Sequence, residues 1–215
     1  MSTRRFLFLL GSSRDEGHEG NTELLARRAA EQLPEGVEQE WISLTEHPLP
    51  EFVDQRHDSD HVRPTEGAAG LLLDATLAAT DLVIASPLYW YSVSAPTKRY
   101  LDHWSGWLRT PGVDFKATMA GRTLWGVTAL AHEEFEVADP LYGTLHHTAA
   151  YLEMRFGGVL LGNGSKPGDV LNDTAALARA KTFFAQEAPL ARFPYETETE
   201  TETETGAGAG AGATA

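Results

Sequence analysis

Five side chains that can donate hydrogen bonds to an anion follow the first apolar run of the sequence: Ser12, Ser13, Arg14, Asn21 and Thr22. The apolar run, 6–10, predicts a buried parallel strand, and a helical pattern begins at Asn21 and Thr22. Unpaired N–H groups and the helix dipole attract negative charge to a helix N-terminus, so this spacing predicts a phosphate site. The same residues also suit a turn, a helix cap and a solvated arginine, and the loop alone leaves both interpretations open.

An aromatic cluster follows another apolar run, 81–85, and precedes a helix that begins near Pro96. Such side chains could pack beneath a neighbouring loop or form a contact between subunits. They could also form the wall of a site for a planar, apolar ligand. The cluster comprises Tyr89, Trp90 and Tyr91.

Alternating apolar runs and amphipathic segments predict the elements that position these loops. We expect strands at 6–10, 37–44, 81–85, 122–130 and 155–161, and helices at 23–33, 67–80, from Pro96 onward, at 141–153 and at 173–188. This alternation is typical of a parallel sheet with right-handed crossovers. The mixed polarity of 37–44 favours an edge strand, and the polar stretch 45–66 predicts a long loop.

The predicted topology brings the two loops together. In a doubly wound sheet, ligands bind outside the carboxyl ends of the strands, in the crevice between the first and third strands. The hydroxyl-rich loop follows the first strand and the aromatic loop follows the third. A phosphate site beside a planar wall favours a mononucleotide pocket.

Composition and charge exclude several other classes of protein. Asp and Glu total 31 against 17 Lys and Arg, and the formal net charge of -14 argues against a nucleic-acid partner. The absence of cysteine excludes disulfides, Cys-ligated zinc and iron–sulfur clusters. No apolar run approaches the length of a membrane span, so we expect a cytoplasmic protein without a membrane partner.

Length and low complexity divide the chain into two parts. One α/β domain is expected at 1–190, and the Glu-Thr and Gly-Ala repeats of 191–215 are expected to be disordered. No histidine has the spacing of a known metal motif, so no metal site is predicted. The histidines considered are His47, His57, His61, His132, His146 and His147.

Two motifs resemble those of a known family: GSSR followed by GNT after the first strand, and SPLYWYSVSAPTKRYLDHW after the third. From residue 5 to about residue 189 the chain is similar to the flavodoxin-like NADPH-dependent FMN reductases and NAD(P)H quinone oxidoreductases. The resemblance implies an open three-layer α/β sandwich with a five-stranded parallel sheet in the order 2-1-3-4-5. It implies that the FMN phosphate is held by Ser12, Arg14, Asn21 and Thr22, and that the ring is lined by Pro87, Leu88, Tyr89, Trp90, Tyr91, Thr128, Ala129 and Leu130.

The chain departs from the family pattern in two loops. Residues 15–19 lengthen the loop after the first strand and are expected to bulge outward. After the fourth strand, Ala129-Leu130-Ala131-His132 stands where the family has a glycine pair.

The resemblance implies an oxidoreductase in which a hydride passes from NADPH or NADH through bound FMN to a quinone, a flavin or a similar small acceptor. The cofactor supplies this chemistry, so no catalytic side chain is assigned. Backbone N–H groups of 89–91 or of the loop after the fourth strand are expected to face the polar edge of the ring, where negative charge gathers on reduction. The alternatives are a flavodoxin-type carrier of single electrons, without a nicotinamide site, and a flavin-free binding domain. Because family members commonly pair with the active site at the interface, a homodimer is expected.

Overall fold

A five-stranded parallel sheet forms the centre of the computed structural model, which describes residues 4–14, 17–54 and 66–194. The strand order is β2-β1-β3-β4-β5, as the sequence predicts. β1 and β3 are almost wholly buried because helices cover both faces of the sheet, whereas β2 is a largely exposed or half-buried edge strand. The strands are β1 (Arg5–Leu10), β2 (Glu38–Ser43), β3 (Asp81–Ala85), β4 (Thr123–Leu130) and β5 (Arg155–Asn163).

Helices cover the two faces of the sheet unequally. One face packs against α1 and α6 around Phe6, Phe8 and Trp125, and the other packs against α2 to α5 around Leu7 and Tyr100. This arrangement is the predicted three-layer sandwich. The described helices are α1 (Asn21–Ala30), α2 (Gly67–Ala78), α3 (Ala95–Trp107), α4 (Phe115–Met119), α5 (Asp139–Tyr151) and α6 (Thr174–Ala180).

The last helix is shorter than the sequence predicts. Instead of continuing over 173–188, α6 ends at Ala180 and a 3₁₀ turn follows at Phe183–Ala185. The rings of Phe183 and Phe184 both pack against Trp125, with centroid separations of 5.2 and 5.5 Å. Both rings therefore reach the same indole from the 3₁₀ turn that replaces the predicted end of the helix.

The chain between α6 and residue 194 packs on the domain. The Ala191 N–H donates to the Met154 carbonyl at 2.9 Å, and Phe193 stacks on His147 with ring centroids 5.7 Å apart. Ordered packing thus continues past residue 190, where the sequence places the start of the tail. The repeats from residue 195 onward lie outside the described residues, as do His57 and His61.

Two negative findings concern membranes and metals. None of the helices in the described ranges is long and apolar enough to cross a bilayer. In the same part of the chain, no three His, Asp or Glu side chains are grouped so that they could hold a metal ion.

Candidate functional site

A cavity of about 360 Å³ opens at the carboxyl ends of β1, β3 and β4. This volume lies within the range of small-molecule sites, about 300–1,000 Å³. The two loops that the sequence predicts to meet both line it. Apart from Ser13 and Thr128, every residue assigned to a ligand site from the sequence is in the lining: Ser12, Arg14, Asn21, Thr22, Pro87, Leu88, Tyr89, Trp90, Tyr91, Ala129 and Leu130.

The N-terminus of α1 forms one end of the cavity. The first N–H groups of a helix have no partner within the helix, and the N-cap residue here is Gly20, which has no side chain to accept from them. Arg14 lies directly over this position, because a Cβ on Gly20 would stand 3.2 Å from Arg14 Nε. Ser12 Oγ accepts the Arg14 N–H at 3.3 Å, which leaves the hydroxyl proton available to a ligand. This end of the cavity therefore suits an anion.

The side chains of Asn21 and Thr22 hold neighbouring loops in place. Asn21 Nδ2 donates to the Lys166 carbonyl at 2.8 Å, and Thr22 Oγ1 accepts the Ala129 N–H at 3.2 Å. Asn21 also accounts for the glycine at position 164, another lining residue. A Cβ at this position would lie only 2.8 Å from Asn21 Nδ2. The backbone N–H groups of Asn21 and Thr22, rather than the Asn21 amide, are what α1 offers to a ligand.

Glu23 also lines the cavity, where an unpaired carboxylate would repel an anion. Arg27, one turn further along α1, contacts Glu23 at 2.6 Å and Glu19 at 3.1 Å. The Arg27 guanidinium also lies 4.5 Å from the ring centroid of Trp41, which fixes its position. The Glu23 carboxylate is thus paired with the Arg27 guanidinium. Arg14 is the cation that lies beside Gly20 at the helix N-terminus.

A tight hairpin carries the aromatic residues on the opposite wall. The N–H of Tyr89 donates to the Ser92 carbonyl at 3.1 Å, and the Ser92 N–H donates back at 3.2 Å. The two central residues, Trp90 and Tyr91, have φ values of 49° and 66°. Positive φ at both positions is the pattern of a type I′ turn, which favours Asn and Gly. A bulky residue held there costs about 1–3 kcal/mol, and such strain is typical of functional sites.

The hairpin exposes its aromatic side chains at the rim of the cavity. Trp90 is 93% exposed, while Tyr89 and Tyr91 are 44% and 50% exposed. The structure therefore does not place them beneath a neighbouring loop. A strained turn that exposes three large aromatic groups beside a cavity indicates a binding surface.

Residues of the hairpin and of the loop after β4 line the cavity, and not all of their backbone N–H groups are used within the protein. The Tyr89 N–H is used within the hairpin, and the Ala129 N–H is used by Thr22. Among the described residues, the N–H groups of Trp90, Tyr91 and Ala131 have no protein acceptor. In the same part of the chain, the N–H groups of Leu88 and His132, which also line the cavity, have no protein acceptor either.

Thr128 lies outside the lining and is fully buried. Side chains alternate along a strand, and Ala129 faces α1, so Thr128 faces the opposite layer. Its Oγ1 has no hydrogen-bond partner within the described structure. The lining also contains Gly164 and Ser165, which the sequence did not indicate, beside Ala131 and His132 of the loop after β4. A signal for them existed, since they follow β4 and β5 at the same edge of the sheet.

The strand order and the position of this cavity define a flavodoxin-like α/β protein with its candidate site at the switch point of the sheet. The model of the NADPH-dependent FMN reductase family matches residues 4–154, and the chain belongs to that family. FMN and NAD(P)H are accordingly the cofactor and the electron donor of its family.

Known proteins resemble this chain in sequence or in fold. YwqN of Bacillus subtilis strain 168, provisionally named an NAD(P)H-dependent FMN-containing oxidoreductase, is 32% identical over 163 residues, which are 75% of this chain and 87% of YwqN. The structure of the Trp repressor binding protein from Bacillus subtilis superposes with a TM-score of 0.66 at 26% identity, covering 85% of this chain and 99% of that one. RosB, solved with bound 8-demethyl-8-formylriboflavin-5'-phosphate, shares the fold with a TM-score of 0.64 at 16% identity, covering 99% and 92% of the two chains.

Proposed function

We propose that this protein binds FMN in the cavity and passes a hydride from NAD(P)H through FMN to a quinone, a flavin or a similar small acceptor. The observation that carries the proposal is that a helix N-terminus without a capping side chain and an exposed aromatic hairpin line one cavity. The first recognises a phosphate and the second a planar ring. FMN, when bound, supplies the hydride chemistry itself.

The phosphate end of the cavity would be formed by the loop after β1 and by α1. Arg14 supplies a full positive charge, and Ser12 supplies a hydroxyl proton. The N–H groups of Asn21 and Thr22 add donors along the helix dipole. Because Asn21 and Thr22 also fix the loops at Lys166 and Ala129, these donors are held in place before a ligand arrives.

The ring end of the cavity would be formed by the hairpin and by the loop after β4. The N–H groups of Trp90, Tyr91 and Ala131, which have no acceptor in the described part of the chain, would stabilise negative charge at the polar edge of a bound ring. The Pro87 and Leu88 side chains, which also line the cavity, would supply apolar contacts to the ring.

The exposed indole of Trp90 supports a planar acceptor. Quinones and flavins can stack against such a side chain, whereas a small inorganic oxidant gains nothing from stacking. We expect Trp90→Ala to raise the KM for a quinone about tenfold and to leave turnover with ferricyanide unchanged. Equal effects on the two acceptors would show that Trp90 does not contact the acceptor.

A one-electron carrier of flavodoxin type is the second candidate. The formal net charge of -14 favours it, because an acidic surface suits docking to a basic protein partner. Such a carrier would bind FMN in the same cavity and would have no site for a nicotinamide.

Anaerobic titration of the FMN-loaded protein separates the two candidates. We expect NADPH or NADH to bleach the visible flavin absorption, and a quinone added afterwards to restore it. If dithionite bleaches the flavin but neither nicotinamide does, the carrier is the better account. If the protein does not bind FMN, the assignment of the cavity is wrong.

A homodimer remains part of the proposal, and a cytoplasmic location stays a prediction. Tyr142, Tyr151 and Leu190 are 45%, 54% and 48% exposed, which suits a contact with a second copy. We expect light scattering to give twice the chain mass and Tyr151→Glu to weaken the association. A monomer at micromolar concentration would contradict this.

A further inference from the structure

A single buried serine joins the two limbs of the hairpin that carries the aromatic tip. Ser86 follows β3 directly, is fully buried, and donates its N–H to the Val127 carbonyl of β4 at 3.1 Å. Its hydroxyl donates to the Pro87 carbonyl at 3.1 Å and accepts the Ser94 N–H at 2.9 Å. One hydroxyl therefore links the outgoing limb, the returning limb and the end of the sheet.

The hairpin has few other backbone ties. In the described part of the chain, the only β-bridge within 86–94 is the one between Tyr89 and Ser92, and no strand of the sheet pairs with the tip. Trp90 and Tyr91 are held at positive φ, which L side chains of this size leave readily when the surrounding structure allows. The conformation of Trp90 and Tyr91 at the tip therefore depends on how Ser86 and Ser94 are held at the base of the hairpin.

The base of the hairpin is packed against the loop on the phosphate side. Ser94 Oγ accepts the Thr97 N–H at 3.4 Å as the N-cap of α3, and it lies 3.0 Å from Thr97 Oγ1. The backbone of Gly11 packs directly against Ser94 and Thr97, since a Cβ on Gly11 would lie 2.0 Å from Thr97 Oγ1. The buried hydroxyl groups thus connect the base of the aromatic wall to the loop that follows β1.

We infer that Ser86 is a positioning residue that fixes the height and direction of the aromatic tip over the cavity. Ser86 does not line the cavity and acts through the backbone at Pro87 and Ser94. The effect on ligand binding rests on the proposed function, whereas the effect on the shape of the hairpin does not.

Two substitutions test this role. Ser86→Ala removes both side-chain hydrogen bonds, and Ser86→Cys nearly preserves the volume while weakening them. Without ligand and under native conditions, we expect chymotrypsin to cut both variants after residues 89–91 about tenfold faster than the wild-type protein. We expect the Kd values for FMN and for riboflavin to rise by the same factor, about threefold to tenfold, because the phosphate end is unchanged.

Thr76→Val is the matched control. It removes another fully buried hydroxyl, which contacts the Tyr100 hydroxyl at 2.6 Å near the amino end of the sheet. We expect it to lower thermal stability without faster cleavage of the tip or weaker FMN binding. The inference is overturned if Thr76→Val and Ser86→Ala expose the tip equally, or if Ser86→Cys behaves like the wild-type protein. If the tip opens as expected but the wild-type chain binds no flavin, the positioning role stands and the proposed function fails.

Discussion

The amino and carboxyl ends of the parallel sheet differ in how their polar groups are paired. At the amino end, the buried Asp81 carboxylate accepts from Arg4 at 2.6 and 3.1 Å, from Trp125 Nε1 at 3.0 Å and from Thr80 Oγ1 at 2.8 Å. The Arg122 guanidinium donates to carbonyls at the C-terminus of α2, among them that of Leu77 at 2.6 Å. That end is closed by its own side chains.

At the carboxyl end, comparable groups are left for another molecule. Gly20 gives the first N–H groups of α1 no side-chain acceptor. Trp90 and Tyr91 occupy a strained turn and remain exposed. The sheet thus has an amino end whose polar groups are paired within the chain and a carboxyl end, the proposed binding end, where strained and unpaired groups would serve as pre-formed ligand contacts.

The largest expected effect on stability is at the amino end. Asp81→Ala leaves Arg4 and Trp125 Nε1 without their acceptor, and we expect a loss of about 2–4 kcal/mol in the free energy of unfolding. The loss falls short of that for a fully buried pair because the Arg4 side chain is 45% exposed. Urea denaturation measures it, with Asp81→Asn, which keeps one acceptor oxygen, as the milder control. A parallel loss of FMN affinity in the folded variant would break the comparison between the two ends.

A carboxylate placed at the binding end should move stability and affinity in opposite directions. Gly20→Asp would cap α1 and pair with Arg14, stabilising the ligand-free protein by about 0.5 kcal/mol. We expect the Kd for FMN to rise at least about tenfold, or about 1.4 kcal/mol, because the new charge occupies the phosphate position. Gly20→Asn is the neutral control and should cap with a smaller effect on affinity. Unchanged FMN binding by the Asp variant would place the phosphate elsewhere.

Replacing a residue at positive φ with glycine should stabilise the protein at either end of the sheet, but it should impair FMN binding only at the carboxyl end. Tyr91→Gly relieves a residue at φ 66°, and Glu153→Gly relieves a residue at φ 56° after α5, away from the cavity. We expect each to gain up to about 1 kcal/mol, since the relief of strain exceeds the entropy of the added glycine. Thermal unfolding measures the gain in stability, and flavin titration measures the loss of FMN affinity. If both variants bind FMN as well as the wild-type protein, the strain at Tyr91 serves no ligand.

The smallest expected effect is a pH dependence beside the cavity. Burial acts to raise the pKa of Asp173, but N–H groups of Ala176 and Asn163 and the charge of Arg179 outweigh it, so this pKa lies below its ordinary value. The carboxylate therefore stabilises the fold above the unfolded-state pKa of about 3.9, and this contribution is lost as the pH falls through the folded-state pKa. We expect the stability difference between wild type and Asp173→Asn to stay constant above about pH 5 and to shrink as the pH falls further, as measured by denaturation. A difference that grows on acidification would contradict this assignment.

Local signals account for the parts of the fold that the sequence predicts. The apolar run at 81–85 matches the bounds of β3, and the mixed polarity of 37–44 marks the edge strand correctly. Once the order of elements is known, the parallel topology places the loops after β1 and β3 at one crevice. That is why most of the predicted residues line one cavity.

The remaining details depend on contacts that no local pattern encodes. Trp90 and Tyr91 carry no Gly or Asn signal for a turn with positive φ. The Asn21 amide, predicted as a ligand donor, binds the loop at Lys166, 145 residues away in sequence. Strands that are buried on both faces do not alternate in polarity. The sequence of β4 therefore did not show that the Thr128 side chain points toward the opposite layer and away from the cavity.

Comparing the binding of FMN and riboflavin to the ligand-free protein tests the central claim most directly. The two molecules share the ring and differ by the phosphate, so their affinity ratio reports the site at the N-terminus of α1. We expect FMN to bind at least about a hundredfold more tightly, with the preference falling by about tenfold or more in Gly20→Asp. Equal affinities in the wild-type protein would contradict the account, because the cavity would then hold a ring without using the helix N-terminus.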